Sequence, residues 1–444
     1  MLEANFEQHN SPDFSDDILY APQAHVVFAE IYGRNRDIIE SQIARYVALR
    51  DQHESTYGQT NPIFISSPGR LSLGGCHTDH NSGLVLAASL MTDVIACASK
   101  NESNTINIRY NLHKNLHSID LKEWWIRPDT KGLVLALTHF LRDHGYRVAG
   151  LNLSLHSNLP RAEGLASSAA FENMISLAIS DLYNNSEIPL LIRTSAGRYS
   201  EEISWEKISG ELDQIGGAVG GINMVDFEYQ NKPTIIHIND GDLIFSDEGY
   251  AITLVNTNST HRGKNSQHLR ISEDMKAIAA FFEKSMLREV SEDLFNAALA
   301  ELYKTYDHRA VLRAEHFFIE NKLVRKMFDA LSRRDIPSFL KLMTESSTSA
   351  MEVLQNTYDI ANPEYQPVPF AIHRTRSFAR STGNEDAIGY QPHGGGFGGT
   401  IMTVLKRELL PNYTREMSRF GFGVHEVHIR EQGCINVSNM LRQE

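Results

Sequence analysis

Apolar residues recur at helical spacing through VVFAEIYGRNRDIIESQIARYVALRDQ (residues 26–52), behind a polar, acidic stretch over 1–22 that reads as a flexible lead-in. PIFISSPG (62–69) then reads as a short buried strand that stops at Pro68-Gly69. SGLVLAASL (82–90) and TDVIACASK (92–100) read as two further strands, and NTINIRYN (104–111) alternates with period two. KGLVLALTHFLRDHG (131–145) has a helical pattern that ends at Gly145. GLNLSLHSNLP (150–160) alternates again and runs into RAEGLASSAAFENMISLAISDLY, where a loop of small residues opens a long helix.

Strand patterns return in TIIHIN and YAITLVNTN. A helix-rich region follows from Ser272 to about Gln355. YQPHGGGFGGTIMTVLK then places a Gly-rich turn before an apolar strand. No repeat or low-complexity tract interrupts the chain. The pattern predicts an α+β protein in two halves, without the regular strand–helix alternation of a parallel doubly wound sheet.

Composition narrows the function. At 444 residues there is enough chain for two or three domains, each with its own core. The formal net charge of -13 argues against nucleic acid as a partner, which would need a basic face. No apolar run reaches the roughly 18 residues of a membrane span. The polar N-terminus is no signal peptide. Three cysteines, Cys76, Cys97 and Cys434, make no disulfide framework and fit a reducing cytoplasm.

Four stretches carry candidate chemistry. In GLASSAAF (164–171), small residues admit a ligand to the backbone amides, and the helix that follows aims its positive end at the same place. The stretch is also what a Ser-capped, Ala-packed helix looks like, and no Gly-Lys-Ser/Thr marks it as a Walker loop. GGGFGG (394–399) leaves bare backbone against a ligand, more glycine than a hairpin turn needs. In SGELDQIGG (209–217), Asp213 is a possible general base or an ordinary helix-start Asp. In SPGRLSLGGCHTDHNSG, Arg70 follows a tight Pro-Gly pair, and Asp79 and the histidines suit a polyhydroxylated ligand. A zinc site from His77, Asp79 and His80 is a rival, but only two of the three can share a strand face. Cys76 reads equally as a small buried apolar residue.

Taken together and in this order, the four stretches resemble the GHMP small-molecule kinases, and the first is similar to the galactokinase signature Pro-Gly-Arg…Gly-Glu-His-Thr-Asp-Tyr-Asn-x-Gly. The resemblance covers about residues 25–430 and takes in WWIRPDTKGL, RAEHFFIEN (313–321) and LMTESSTS (342–349). It implies a two-domain fold: an N-terminal domain (23–230) with a left-handed βαβ unit, and a ferredoxin-like C-terminal domain (231–444). Substrates would lie in the cleft between them.

The resemblance further implies a sugar-1-kinase using ATP and Mg²⁺. Asp213 falls at the catalytic aspartate and Arg70 at its arginine partner. Gly164, Leu165, Ala166, Ser167, Ser168 and Ala169 fall in the phosphate loop, and Gly395 and Gly396 are assigned to ATP as well. Ser168 and Glu201 fall at the Mg²⁺ ligands, with Glu202 adjacent. Cys76, His77, Asp79, Gly210 and His268 fall at sugar contacts. Beyond sugar and ATP the expected partner is at most a second copy of the chain. A sugar and ATP sensor without catalysis is the alternative within this family.

The chain departs from the family pattern at three places. Cys76 replaces the Glu that accepts a hydrogen bond from the sugar's C6 hydroxymethyl, which removes a negative charge from that end of the pocket. Plant galacturonokinases look similar here: they too carry a small residue, with His following the Asp as His80 does, and HLRISE (268–273) is similar to theirs. Ala162 stands where the family favours Gly, and Glu163 brings an acid near the phosphates.

Overall fold

The computed structural model describes residues 18–442, apart from 59, 111–115, 161–163, 207–209, 230–231, 240 and 260–263. Most of the expected lead-in, together with Ala162, Glu163 and Arg161 of the phosphate loop, lies outside the described residues.

The elements run in the order α1 (Pro22–Tyr32), α2 (Arg36–Tyr57), β1 (Ile63–Gly74), β2 (Leu84–Lys100), β3 (Thr105–Tyr110), β4 (Leu116–Asp120), α3 (Thr130–Asp143), β5 (Leu151–Ser157), α4 (Ser167–Tyr183), α5 (Leu190–Trp205), α6 (Leu212–Val219), β6 (Ile222–Asp226) and β7 (Thr234–Ile238). They continue with α7 (Gly241–Ser246), β8 (Tyr250–Asn256), α8 (Asn265–Phe281), α9 (Glu292–Thr305), α10 (His308–Ser332), α11 (Ile336–Ser349), α12 (Pro367–Thr382), β9 (Ile388–His393), β10 (Thr400–Lys406), α13 (Leu410–Ser418), β11 (Gly423–Val427), β12 (Ile435–Asn436) and α14 (Val437–Arg442). Side chains cap the helices as their sequences suggest: Asn35, Asp129, Ser291, Asp307 and Asp335 each accept from a first-turn amide.

Among the described residues the strands form two sheets. The larger has the order β12-β1-β2-β5-β3-β4, with β6 paired to β2 and β7 to β6. Its pairs are antiparallel except β3 with β5. The smaller is antiparallel in the order β11-β8-β10-β9. Helices α3, α4 and α5 cover one face of the larger sheet around Ile65, Ala96, Leu153 and Met174. A second core around Leu71, Leu86, Leu254, Met327 and Met402 joins the larger sheet, α10, α11 and the smaller sheet.

Two element boundaries differ from the sequence pattern. β1 does not stop at Pro68-Gly69 but continues to Gly74, with a register shift between Pro68 and Arg70. On its other edge β1 meets β12 only at Ile65 and Ser66, so beyond that point the missing N–H of Pro68 breaks no ladder. Gly69 is needed there, because a Cβ would stand 2.7 Å from Leu159 and from the Leu165 carbonyl. The two strands expected over 82–100 are one, β2, which changes partner from β6 at Leu84–Ala88 to β5 at Val94–Lys100.

Candidate active site

β1 delivers Arg70 to the centre of the site. Its Nε and Nη2 donate to Asp213 Oδ1 at 2.9 and 2.6 Å, and its Nη1 donates to the Gly164 carbonyl at 2.6 Å. The guanidinium is almost fully buried, while the Asp213 side chain keeps 24% exposure toward the open side. Asp213 lies in the first turn of α6, where the helix end favours a carboxylate. Gly216, one turn on, packs against the Arg70 stem, where a Cβ would come within 3.2 Å. One arginine therefore links the candidate base to the loop that precedes α4.

That loop enters α4 through Gly164 (φ 71°) and Ala166 (φ 58°), both left-handed. Ala166 is the N-cap residue and offers no side-chain acceptor, so the first-turn amides of α4 are left for another partner. Ser168 Oγ donates to Glu201 Oε1 on α5 at 2.7 Å, and Glu201 is fully buried. Glu202 instead faces outward to Arg198 at 3.4 Å. Gly164 also lies against the Gly-rich turn between β9 and β10, where a Cβ would stand 3.6 Å from the Gly394 Cα. Within that turn Gly394, Gly396, Gly398, Gly399 and even Phe397 have positive φ.

The end of β1 and the turn after it form a second cluster. Asp79 accepts from the His80 amide at 3.0 Å and the Leu212 amide at 3.3 Å. Gly210 is packed on its carboxylate, where a Cβ would stand 2.0 Å from Asp79 Cγ. Burial, with Asp213 nearby adding like charge, pushes the Asp79 carboxyl up to about 6. His77 Nε2 meets the Gly395 carbonyl at 2.9 Å, and the His77 ring lies edge-on to His268, whose ring stacks on Phe397. His77 and His80 meet each other at 3.4 Å while Asp79 turns to backbone amides, and among the described residues no group of three His, Cys, Asp or Glu could hold a metal ion.

Cys76 Sγ accepts from Asn356 Nδ2 at 3.5 Å and lies 3.8 Å from the Gly394 carbonyl. Burial, and then the charge of Glu320, push the thiol up to about 12, so it is neutral and a donor at pH 7. The sequence reading missed this second layer. Asn356 is fully buried and also donates to Gly395 O at 3.3 Å. A π-turn over Ala350–Leu354 and a left-handed Gln355 deliver it, and no sequence signal marks such an irregular helix end. His316 bonds the Cys76 carbonyl and Ser349 Oγ, and Glu320 accepts from the Gly75 amide and Ser346 Oγ. RAEHFFIEN and LMTESSTS therefore meet as α10 and α11 behind the Cys76 turn.

Two segments of the chain match known family models. Residues 132–221 match the GHMP kinases N terminal domain, and residues 51–100 match the galactokinase galactose-binding signature. Galactokinase from Clostridium tetani is 25% identical over 388 residues, 83% of this chain and 91% of that protein. Galactokinase from Thermotoga maritima is 27% identical over 384 residues, 82% and 97% of the two chains. Among solved structures, Lactococcus lactis galactokinase complexed with galactose superposes with a TM-score of 0.74 at 21% identity, over 88% of this chain and 99% of that one. A mevalonate kinase superposes at 0.56 over 83% of this chain. The fold is that of the GHMP kinases. Within that fold the chain is similar to the galactokinases, in its matched signature and along most of its length. Among the described residues no helix is long and apolar enough to cross a membrane.

Proposed function

We propose that this chain transfers the γ-phosphate of ATP to the anomeric hydroxyl of galactose or of a galactose altered at C6, galacturonate foremost. The observation that carries the reading is the double contact of Arg70, on Asp213 and on the Gly164 carbonyl, which sets a candidate base beside the loop that opens α4.

Phosphoryl transfer asks mainly for positioning and charge neutralisation. In this reading Asp213 accepts the proton of the anomeric hydroxyl. Arg70 holds that carboxylate in place and stabilises negative charge developing on the attacking oxygen. Gly164 to Ala169 offer backbone amides to the phosphates, and Gly395 and Gly396 close the cleft from the other side. Ser168 and Glu201 are two hard oxygen donors 2.7 Å apart, a set that suits Mg²⁺. Bound there, the ion neutralises phosphate charge. Asp79 accepts from sugar hydroxyls, with Gly210 and His268 shaping the pocket.

The C6 preference rests on Cys76. A neutral thiol and the Asn356 amide replace the charged acceptor of the galactokinase pattern. The domains proposed are 23–230 and 231–444, although β7 and β12, from beyond residue 230, complete the larger sheet. A cytoplasmic protein, monomeric or homodimeric, fits three unpaired thiols.

The test is ADP release from Mg-ATP with galactose and galacturonate side by side, for wild type and Cys76→Glu. Wild type is expected to prefer the acid, and the variant to shift toward galactose. Wild type that turns over galactose and ignores the acid refutes the C6 preference. No turnover of any galactose-type sugar refutes the kinase.

A further inference from the structure

We propose that His80 is a positioning residue of the sugar pocket: by donating to Nδ1 of His77 it holds that ring in place and, through it, the carbonyl of Gly395 on the Gly-rich turn.

Four hydrogen bonds in series carry this. Asn81 Oδ1 accepts from the Leu287 amide at 3.4 Å, which turns the Asn81 NH₂ toward His80. Asn81 Nδ2 meets His80 Nδ1 at 2.9 Å. His80 Nε2 meets His77 Nδ1 at 3.4 Å, the one ring-to-ring link of the four. His77 Nε2 meets Gly395 O at 2.9 Å.

The two ends decide the direction. A backbone amide can only donate and a carbonyl can only accept. His77 must therefore carry its proton on Nε2. If the ring is neutral, its Nδ1 is an acceptor, so His80 must donate from Nε2 and accept on Nδ1 from Asn81. A single arrangement satisfies every link. Neutral rings are what this environment enforces. Burial, then His80 and His268, hold His77 well below the usual imidazole range, and burial, then Lys276 and His316, hold His80 down to about 3.

The consequence falls on the substrate pocket. Both nitrogens of His77 are engaged within the protein, so the ring offers no acceptor to a sugar hydroxyl. Its contribution is to hold Gly395 O, which Asn356 also holds from the Cys76 side. Without the donor on His80, His77 keeps its proton on Nε2 for Gly395 O but loses the contact that anchors Nδ1, so the ring and the carbonyl it holds are less firmly placed. That the pocket binds sugar rests on the function proposed above. The tautomer assignment does not.

The experiment is nitrogen-15 NMR of selectively histidine-labelled full chain, which reads ring tautomers directly, on wild type, His80→Phe and His80→Gln. Wild type is expected to show His77 neutral with the proton on Nε2. His80→Phe is expected to leave the proton on Nε2 but to shift the His77 Nδ1 resonance, which loses its donor, and to raise the sugar KM roughly two- to tenfold, the effect of one neutral hydrogen bond. Its kcat should change little, because Arg70 and Asp213 are untouched. His80→Gln keeps an amide donor at similar reach and is expected to restore both readouts. A wild-type His77 that is charged, or protonated on Nδ1, overturns the proposal without recourse to any variant. So does a folded His80→Phe with an unchanged His77 spectrum. Failure of wild type to turn over any sugar would count against the proposed function and leave the spectrum to decide this one.

Discussion

Arg70→Lys is the perturbation that separates this site's geometry from its charge. Lysine keeps the cation but replaces a rigid fork with one point. Arg70 makes three hydrogen bonds, two to Asp213 Oδ1 and one to Gly164 O. An ammonium can keep one of them well. Losing two bonds that involve a charged group is worth about 1.5–3 kcal/mol each, or roughly 3–6 kcal/mol gross. Asp213 is 24% exposed, so water will recover part of this, and the lower end is expected. A loss of about 3 kcal/mol lowers kcat/KM roughly 10²-fold.

Because one of the bonds reaches the phosphate loop, KM for ATP should rise as well as kcat fall. The assay is coupled ADP release at saturating sugar, with ATP varied. Circular dichroism melts of the same samples separate catalysis from folding. In a double-mutant cycle with Asp213→Asn, the second change should cost far less than the first, since the two residues act as a unit. If Arg70→Lys stays within about threefold of wild type, under 1 kcal/mol, the central role given to this contact is wrong.

Asp79 gives a pH signature with two opposite signs. Its native value, about 6, lies above the unfolded value, so its contribution to stability is full below about 4 and is lost as pH rises through about 6. In the proposed reading Asp79 binds sugar as the carboxylate, so kcat/KM should rise over the same window; a flat profile between pH 5 and 7 counts against Asp79 as a sugar ligand. Ser168→Ala removes one of two oxygen donors and should shift the Mg²⁺ titration of activity to higher concentration; an unchanged titration would exclude Ser168 from the metal site. Asp93 is buried and meets Arg45 at 2.6 Å, Arg430 at 3.3 Å and Tyr32 at 2.6 Å. Asp93→Ala leaves two buried guanidinium groups without their counter-ion and should lower stability by about 3–5 kcal/mol in urea denaturation. A loss below about 1 kcal/mol would mean that surrounding groups compensate.

The sequence by itself determined the class of fold, and the resemblance it carries named many of the residues that the structure gathers around Arg70. Periodicity identified α3, β3, β5 and the loop that opens α4, because a local repeat of 2 or 3.6 residues is a local property of the chain. Arg70, Asp213 and Ser168 were singled out only through the resemblance, because each alone reads equally as an ordinary turn, helix-start or capping residue. Tertiary structure alone decided the rest. Pro68 looked like a strand end, but β12 pairs with β1 only at Ile65 and Ser66, and β1 runs on past Pro68 to carry Arg70 inward, where its amide donates to the Leu165 carbonyl. Whether Glu201 or Glu202 faces Ser168 depends on which side of α5 packs inward, and Glu201 is the buried one. Asn356 reaches Cys76 across 280 residues, from an irregular helix end with no sequence signature. The line from Asn81 to Gly395 likewise exists only because Leu287 and the Gly-rich turn, far apart in the chain, close on either side of two histidines. Such contacts depend on long-range packing, and no window of sequence contains both partners.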